Sequence, residues 1–65
     1  MPQKMTLKAA RINAGLKQQE AAKKLGISVS TLKSWEYYQT FPTYPKIVKI
    51  CNLYNADFDT IIFAN

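Results

Sequence analysis

Histidine is missing from this sequence altogether, and cysteine occurs once, at Cys51. A lone cysteine cannot close an internal disulfide, so the expected fold needs no oxidising compartment and suits a reducing cytoplasm. With the four acids Glu20, Glu36, Asp57 and Asp59 scattered as well, neither a metal cluster nor a cofactor is expected. The same shortages, together with the lack of paired carboxylates at a defined spacing and of a Gly-rich phosphate loop, argue against an enzyme. No apolar run approaches the ~18 residues of a membrane span, and the start Met1-Pro2-Gln3-Lys4-Met5-Thr6 carries no apolar secretory segment. Acids are scarce relative to bases: nine Lys and Arg against four Asp and Glu leave a net charge of +5, which favours a polyanionic partner. Residues 1–65 make one domain at most, with a core that is marginal unless its helices pack tightly or a second copy adds surface.

What is present is helical periodicity broken by well-chosen turn residues. Leu7, Ala10, Arg11 and Ala14 fall at i, i+3, i+4 and i+7, with Thr6 as the N-cap and Gly15 as the stop. A second face, Gln18, Ala21, Ala22 and Leu25, closes at Gly26, the residue type best suited to a left-handed turn. Ser28 is a preferred N-cap for a third helix anchored by Leu32 and Trp35. The two prolines of Phe41-Pro42-Thr43-Tyr44-Pro45 make that stretch extended or turning, and Pro45 suits the first turn of a fourth helix with Ile47, Ile50, Cys51 and Tyr54 on one face. Asn55-Ala56 breaks it, and Asp57 is expected to cap a fifth short helix with Phe58, Ile61 and Ile62 on its apolar side. No alternating stretch predicts a strand. An all-α, compact five-helix domain follows.

Helices 2 and 3, joined by the short turn at Gly26-Ile27, meet the needs of a helix-turn-helix. Ala21 and Ala22 keep the first helix thin, Ile27 plugs the junction, and Leu32 with Trp35 anchors the second from behind. Val29, Ser30, Thr31, Lys33 and Ser34 then point outward.

The stretch "LKAARINAGLKQQEAAKKLGISVSTLKSWE", continued by "IVKICNLYNADFDTII", resembles the lambda-repressor-like family, which includes Cro-like and other short phage and bacterial regulators. The resemblance covers nearly the whole chain. Its signal is the joint occurrence of Gln at the start of helix 2, a small-residue pair, a Gly turn, a Ser cap and a Trp-Glu ending. It implies a double-stranded DNA operator as partner, read in the major groove by Ser28, Val29, Ser30, Thr31, Lys33 and Ser34. Lys17 and Gln18 at the helix 2 N-terminus, with Gln39 and Thr40 in the loop after helix 3, are the expected phosphate contacts. It further implies a buried ion pair between Arg11 and Glu36 and a homodimer, at least on DNA. Phe58, Ile61, Ile62 and Phe63 carry more apolar surface than one short helix buries, making them the expected dimer interface; the alternative is that they close the monomer core.

Two positions and one loop depart from the family pattern. Lys17 stands where a capping Thr or Ser is usual, removing a cap and adding a cation near the positive end of helix 2. Tyr38 replaces the Gly that ends helix 3; a tyrosine resists a left-handed turn, so helix 3 is expected to run longer or exit differently. The loop from Gln39 to Tyr44 lacks basic residues. The aromatic group Tyr37, Tyr38, Phe41 and Tyr44 suits packing over a small core better than base stacking, and Cys51 suits a small core position. The competing functional reading is a protein-interaction module on the same fold, such as an antitoxin-like or anti-repressor partner.

Overall fold

The computed structural model describes residues 4–64. Four α-helices carry the fold: α1 (Leu7–Asn13), α2 (Gln18–Leu25), α3 (Val29–Glu36) and α4 (Tyr44–Tyr54). Their starts and stops follow local chemistry. Thr6 caps α1, its hydroxyl accepting from the Ala9 amide at 3.1 Å. Gly26 ends α2 at φ 73°, a left-handed conformation that costs glycine nothing. Ser28 caps α3, accepting from the Thr31 amide at 3.1 Å. Pro45 lies in the first turn of α4, where a missing N–H is harmless, and Asn55 stops the helix at φ 51°.

The fifth helix does not form. Asp57 is followed by a single 3-10 turn, Phe58–Thr60, and the chain then extends as β2 (Ile61–Ile62), which pairs in parallel with β1 (Met5–Thr6) in the register Met5 to Ile61 and Thr6 to Ile62. Two adjacent β-branched residues favour extended backbone, and the segment leading into α1 offers them free hydrogen-bonding groups. Asp57 also does not cap with its side chain; its carbonyl accepts from the Thr60 amide at 3.0 Å and the Thr60 hydroxyl at 2.8 Å. No described helix is long and apolar enough to cross a membrane.

Leu7, Leu25, Leu32 and Ile50 are fully buried, one from each helix, with Ala10, Ala21, Ala22, Trp35, Tyr54 and Ile61 around them. The alanine pair lets α3 and α4 both close on α2. Ile61, expected at a dimer interface, is thus part of the monomer core, because strand pairing with Met5 turns it inward. Ile62 and Phe63 are half-buried, and Phe63 stacks on Phe58 with ring centroids 5.5 Å apart. Cys51 is half-buried rather than core, its thiol pushed up by burial and by the nearby Asp57 carboxylate.

Tyr38 overturns a second expectation. It adopts the left-handed turn after α3 at φ 59°, the geometry that tyrosine resists. Its hydroxyl gives the physical reason: it donates to the Ile62 carbonyl at 2.7 Å and accepts from the Leu7 amide at 3.3 Å. Two hydrogen bonds to backbone groups at the ends of β2 and the start of α1 offset strain on the order of 1–2 kcal/mol. The exit of α3 is therefore tied to both ends of the chain by one side chain.

Candidate nucleic-acid interface

The outward side of α3 is set by what its other side buries. Leu32, Trp35 and Glu36 face the core, so the opposite stripe at i, i+3, i+4 and i+7 consists of Ser30, Lys33, Ser34 and Tyr37. Ser30, Lys33 and Tyr37 are exposed and Ser34 is half-buried. Tyr37, taken from the sequence as loop packing, is 68% exposed on this stripe; counting seven residues on from Ser30 finds it there. Phe41 and Tyr44 are exposed too, leaving Tyr38 as the packed member of that aromatic group.

Three of the proposed base-facing residues are differently engaged. Val29 packs against the core cluster. Ser28 uses its oxygen to accept from the Thr31 amide and its proton to bond Thr31 Oγ1 at 2.9 Å, so its hydroxyl serves the cap. Thr31 is half-buried but retains its own hydroxyl proton as a donor. Gln39 and Thr40 are exposed, and their amides donate to the Ser34 carbonyl at 2.9 and 3.4 Å, wrapping the loop over the end of α3.

A buried polar cluster holds this stripe in place. Arg11 Nε donates to Glu36 Oε2 at 2.7 Å, with the side chains 8% and 2% exposed. A second guanidinium nitrogen lies 3.4 Å from Glu36 Oε1, and the third donates to the Leu16 carbonyl at 2.8 Å. Gln18 Nε2 completes the set, donating to Glu36 Oε1 at 3.0 Å. The Glu36 carboxylate thus fastens α1 and the first residue of α2 to the last residue of α3, and Arg11 adds the turn at Leu16. Gln18, expected to lie over a phosphate, spends one amide N–H on this cluster and keeps the other. Beside it, the Lys17 ammonium has no acceptor character with which to cap, while the Lys17 amide donates to Glu20 Oε1 at 3.0 Å. Lys46 reaches the Leu25 carbonyl at 3.1 Å and so closes the C-terminal end of α2.

Two comparisons bear on this geometry. A family model described as helix-turn-helix matches residues 7–61. The HTH-type transcriptional regulator ImmR of Bacillus subtilis (strain 168) is 39% identical over 56 residues, covering 86% of this chain and 44% of that protein. The chain belongs to the lambda-repressor-like (XRE-type) helix-turn-helix family. It spans less than half the length of that curated relative. No solved structure matches. In this member of the helix-turn-helix family, α2 and α3 are the two motif helices and Gly26-Ile27 is the turn between them.

Near the same cluster, Tyr54 is buried and its hydroxyl has no hydrogen-bond partner among the described residues. Burial, with the Glu36 charge adding and Arg11 opposing, pushes the phenol up to about 12 from the ordinary 10.0. The folded chain therefore holds this proton more tightly than the unfolded chain. Its contribution to stability is complete below pH 10.0 and is lost as pH rises towards about 12. Tyr54→Phe is expected to be at least as stable as the parent at pH 7, since an unmatched buried hydroxyl costs about 1–3 kcal/mol, and to unfold less steeply in alkali. Urea melts at pH 7 and pH 11 check this; an equal alkaline loss in both proteins would count against it.

Proposed function

We propose that this chain is a sequence-specific, double-stranded-DNA-binding transcriptional regulator of the Cro-like repressor kind, a cytoplasmic binding protein and not an enzyme. The observation that carries the reading is the stripe Ser30, Lys33, Ser34 and Tyr37 on a helix whose inner face is clamped by a buried ion pair. A rigid helix about 10–12 Å across fits the ~12 Å major groove, and side chains on its outer face meet base edges. Lys33 suits guanine O6 and N7, while Ser30, Thr31 and Ser34 accept or donate at any base. The free amides at the start of α2, Lys17 and the second N–H of Gln18 suit a phosphate, and Gln39 and Thr40 suit another across the groove. Without an outward bidentate Arg, Asn or Gln, discrimination by one copy is modest; two half-sites about one helical turn apart, and DNA shape, supply the rest.

Selection of bound duplexes from a random pool, followed by salt titration of the winner against unselected duplex, tests the reading. The expected result is an enriched two-fold repeat bound about 10³-fold or more above the pool, with affinity falling steeply as salt rises. No enrichment and a flat salt response would refute DNA reading and leave the protein-interaction module in its place.

A further inference from the structure

Tyr38 stands between two groups of residues that the regulator reading sets against DNA: Tyr37 on the outer stripe of α3, and Gln39 with Thr40 in the loop that follows. Its amide donates to the Trp35 carbonyl at 3.1 Å and the next two amides donate to the Ser34 carbonyl, so the turn at Tyr38 decides where the loop lies. Its side chain runs the other way. The hydroxyl accepts from the Leu7 amide, in the first turn of α1 where the helix itself supplies no acceptor, and donates to the Ile62 carbonyl in β2. β1 and β2 meet there through a ladder of only two residue pairs, Met5 with Ile61 and Thr6 with Ile62. So short a ladder is marginal by itself.

We infer that Tyr38 is a positioning residue that couples closure of the β1–β2 clasp to DNA binding at the end of α3. Its backbone conformation is the reason. A tyrosine holds φ 59° only while its surroundings over-determine it, and the two bonds made by its own hydroxyl are the part of those surroundings that depends on the clasp. Opening the clasp removes those bonds and leaves the strain, so the backbone relaxes to negative φ. A rotation of about 120°, from 59° to the ordinary range near −60°, turns Gln39 and Thr40 away from the Ser34 carbonyl.

The tied and untied turn are thus two states of one element, and duplex that meets the loop in its tied position binds one of them. That difference in affinity is the coupling, and linkage makes it reciprocal: bound duplex tightens the clasp, and displacement of β2 loosens the hold on duplex. Glycine, the usual residue here in the resembled family, adopts positive φ at no cost, so its loop keeps one path whatever β2 does. The tyrosine of this chain makes the loop answer to residues 61–62.

The inference rests on the regulator reading. Its test compares Tyr38→Phe, Tyr38→Gly and Tyr38→Asn in the full chain, each binding a selected duplex well below its own melting temperature. Phenylalanine keeps the ring and the strain but removes the tie, so it is expected to bind at least about fivefold more weakly than the parent. Glycine and asparagine remove tie and strain together, since both accept a left-handed turn, and should bind at least about fivefold more tightly than Tyr38→Phe although they lose the packed ring. A merely structural tyrosine gives the opposite order, with phenylalanine the mildest change. The reciprocal measurement is hydrogen exchange at the Leu7 amide, which duplex should slow at least about fivefold in the parent and leave alone in Tyr38→Gly. Tyr38→Phe binding as well as the parent, or better than the other two variants, overturns the proposal, and so does slowing at Leu7 that persists in Tyr38→Gly. In each of those cases the parent still binds duplex and the regulator reading stands. A parent that binds no selected duplex refutes the regulator reading and the coupling with it.

Discussion

Arg11→Ala is expected to cost about 3–5 kcal/mol, because it leaves the Glu36 carboxylate buried with its positive partner removed. Total stability for a chain of this length is on the order of 3–10 kcal/mol, so the variant loses a large share of it and melts well below the parent. The loss extends beyond the pair itself. The Leu16 carbonyl loses its donor, and Gln18 is left bonded to an uncompensated carboxylate. Replacing both partners, as Arg11→Met with Glu36→Leu, removes the orphaned charge along with the attraction and should be milder than Arg11→Ala alone. Thermal melts of the single and double variants decide the matter. If Arg11→Ala melts within a degree or two of the parent, the cluster does not hold the fold.

The second large effect concerns binding instead of folding. Ser30→Ala and Lys33→Ala change exposed positions on α3, so melting temperatures should hold while specific affinity falls by about 1–3 kcal/mol for each. Gln18→Ala should behave differently, weakening binding to every duplex alike, since Gln18 bonds Glu36 and the role proposed for it is a phosphate contact, which carries no sequence information. Comparing each variant on selected and unselected duplex separates the two kinds of loss. Equal losses on both duplexes for Lys33→Ala would place that lysine on phosphate only.

The four α-helices were legible because each has a buried stripe and a stop with its own chemistry: Thr6 and Ser28 at starts, Gly26 and Asn55 at ends. The Arg11–Glu36 pair was legible only through family resemblance, as nothing in the spacing of two residues 25 apart announces a contact. β1 and β2 were not legible: strands of two residues show no alternation, and their pairing depends on where the tertiary fold brings the ends. Tyr38 was misjudged because its strain was local and visible, whereas its compensation, at Leu7 and Ile62, was distant and not. Capping α3 takes a lone pair of the Ser28 hydroxyl, and the bond to Thr31 Oγ1 takes its proton, while a turn of 100° per residue carries Tyr37 to the same side as Ser30.

Mapping backbone amide shifts by NMR as a selected duplex is added tests most directly whether the outer side of α3 is the part that meets DNA. Changes concentrated at residues 17–18, 28–34, 37 and 39–40, with the exposed side of α1 little affected, are the expected result. Changes centred on Tyr44, Val48 and Phe58 while Ser30 and Lys33 stay still would contradict it.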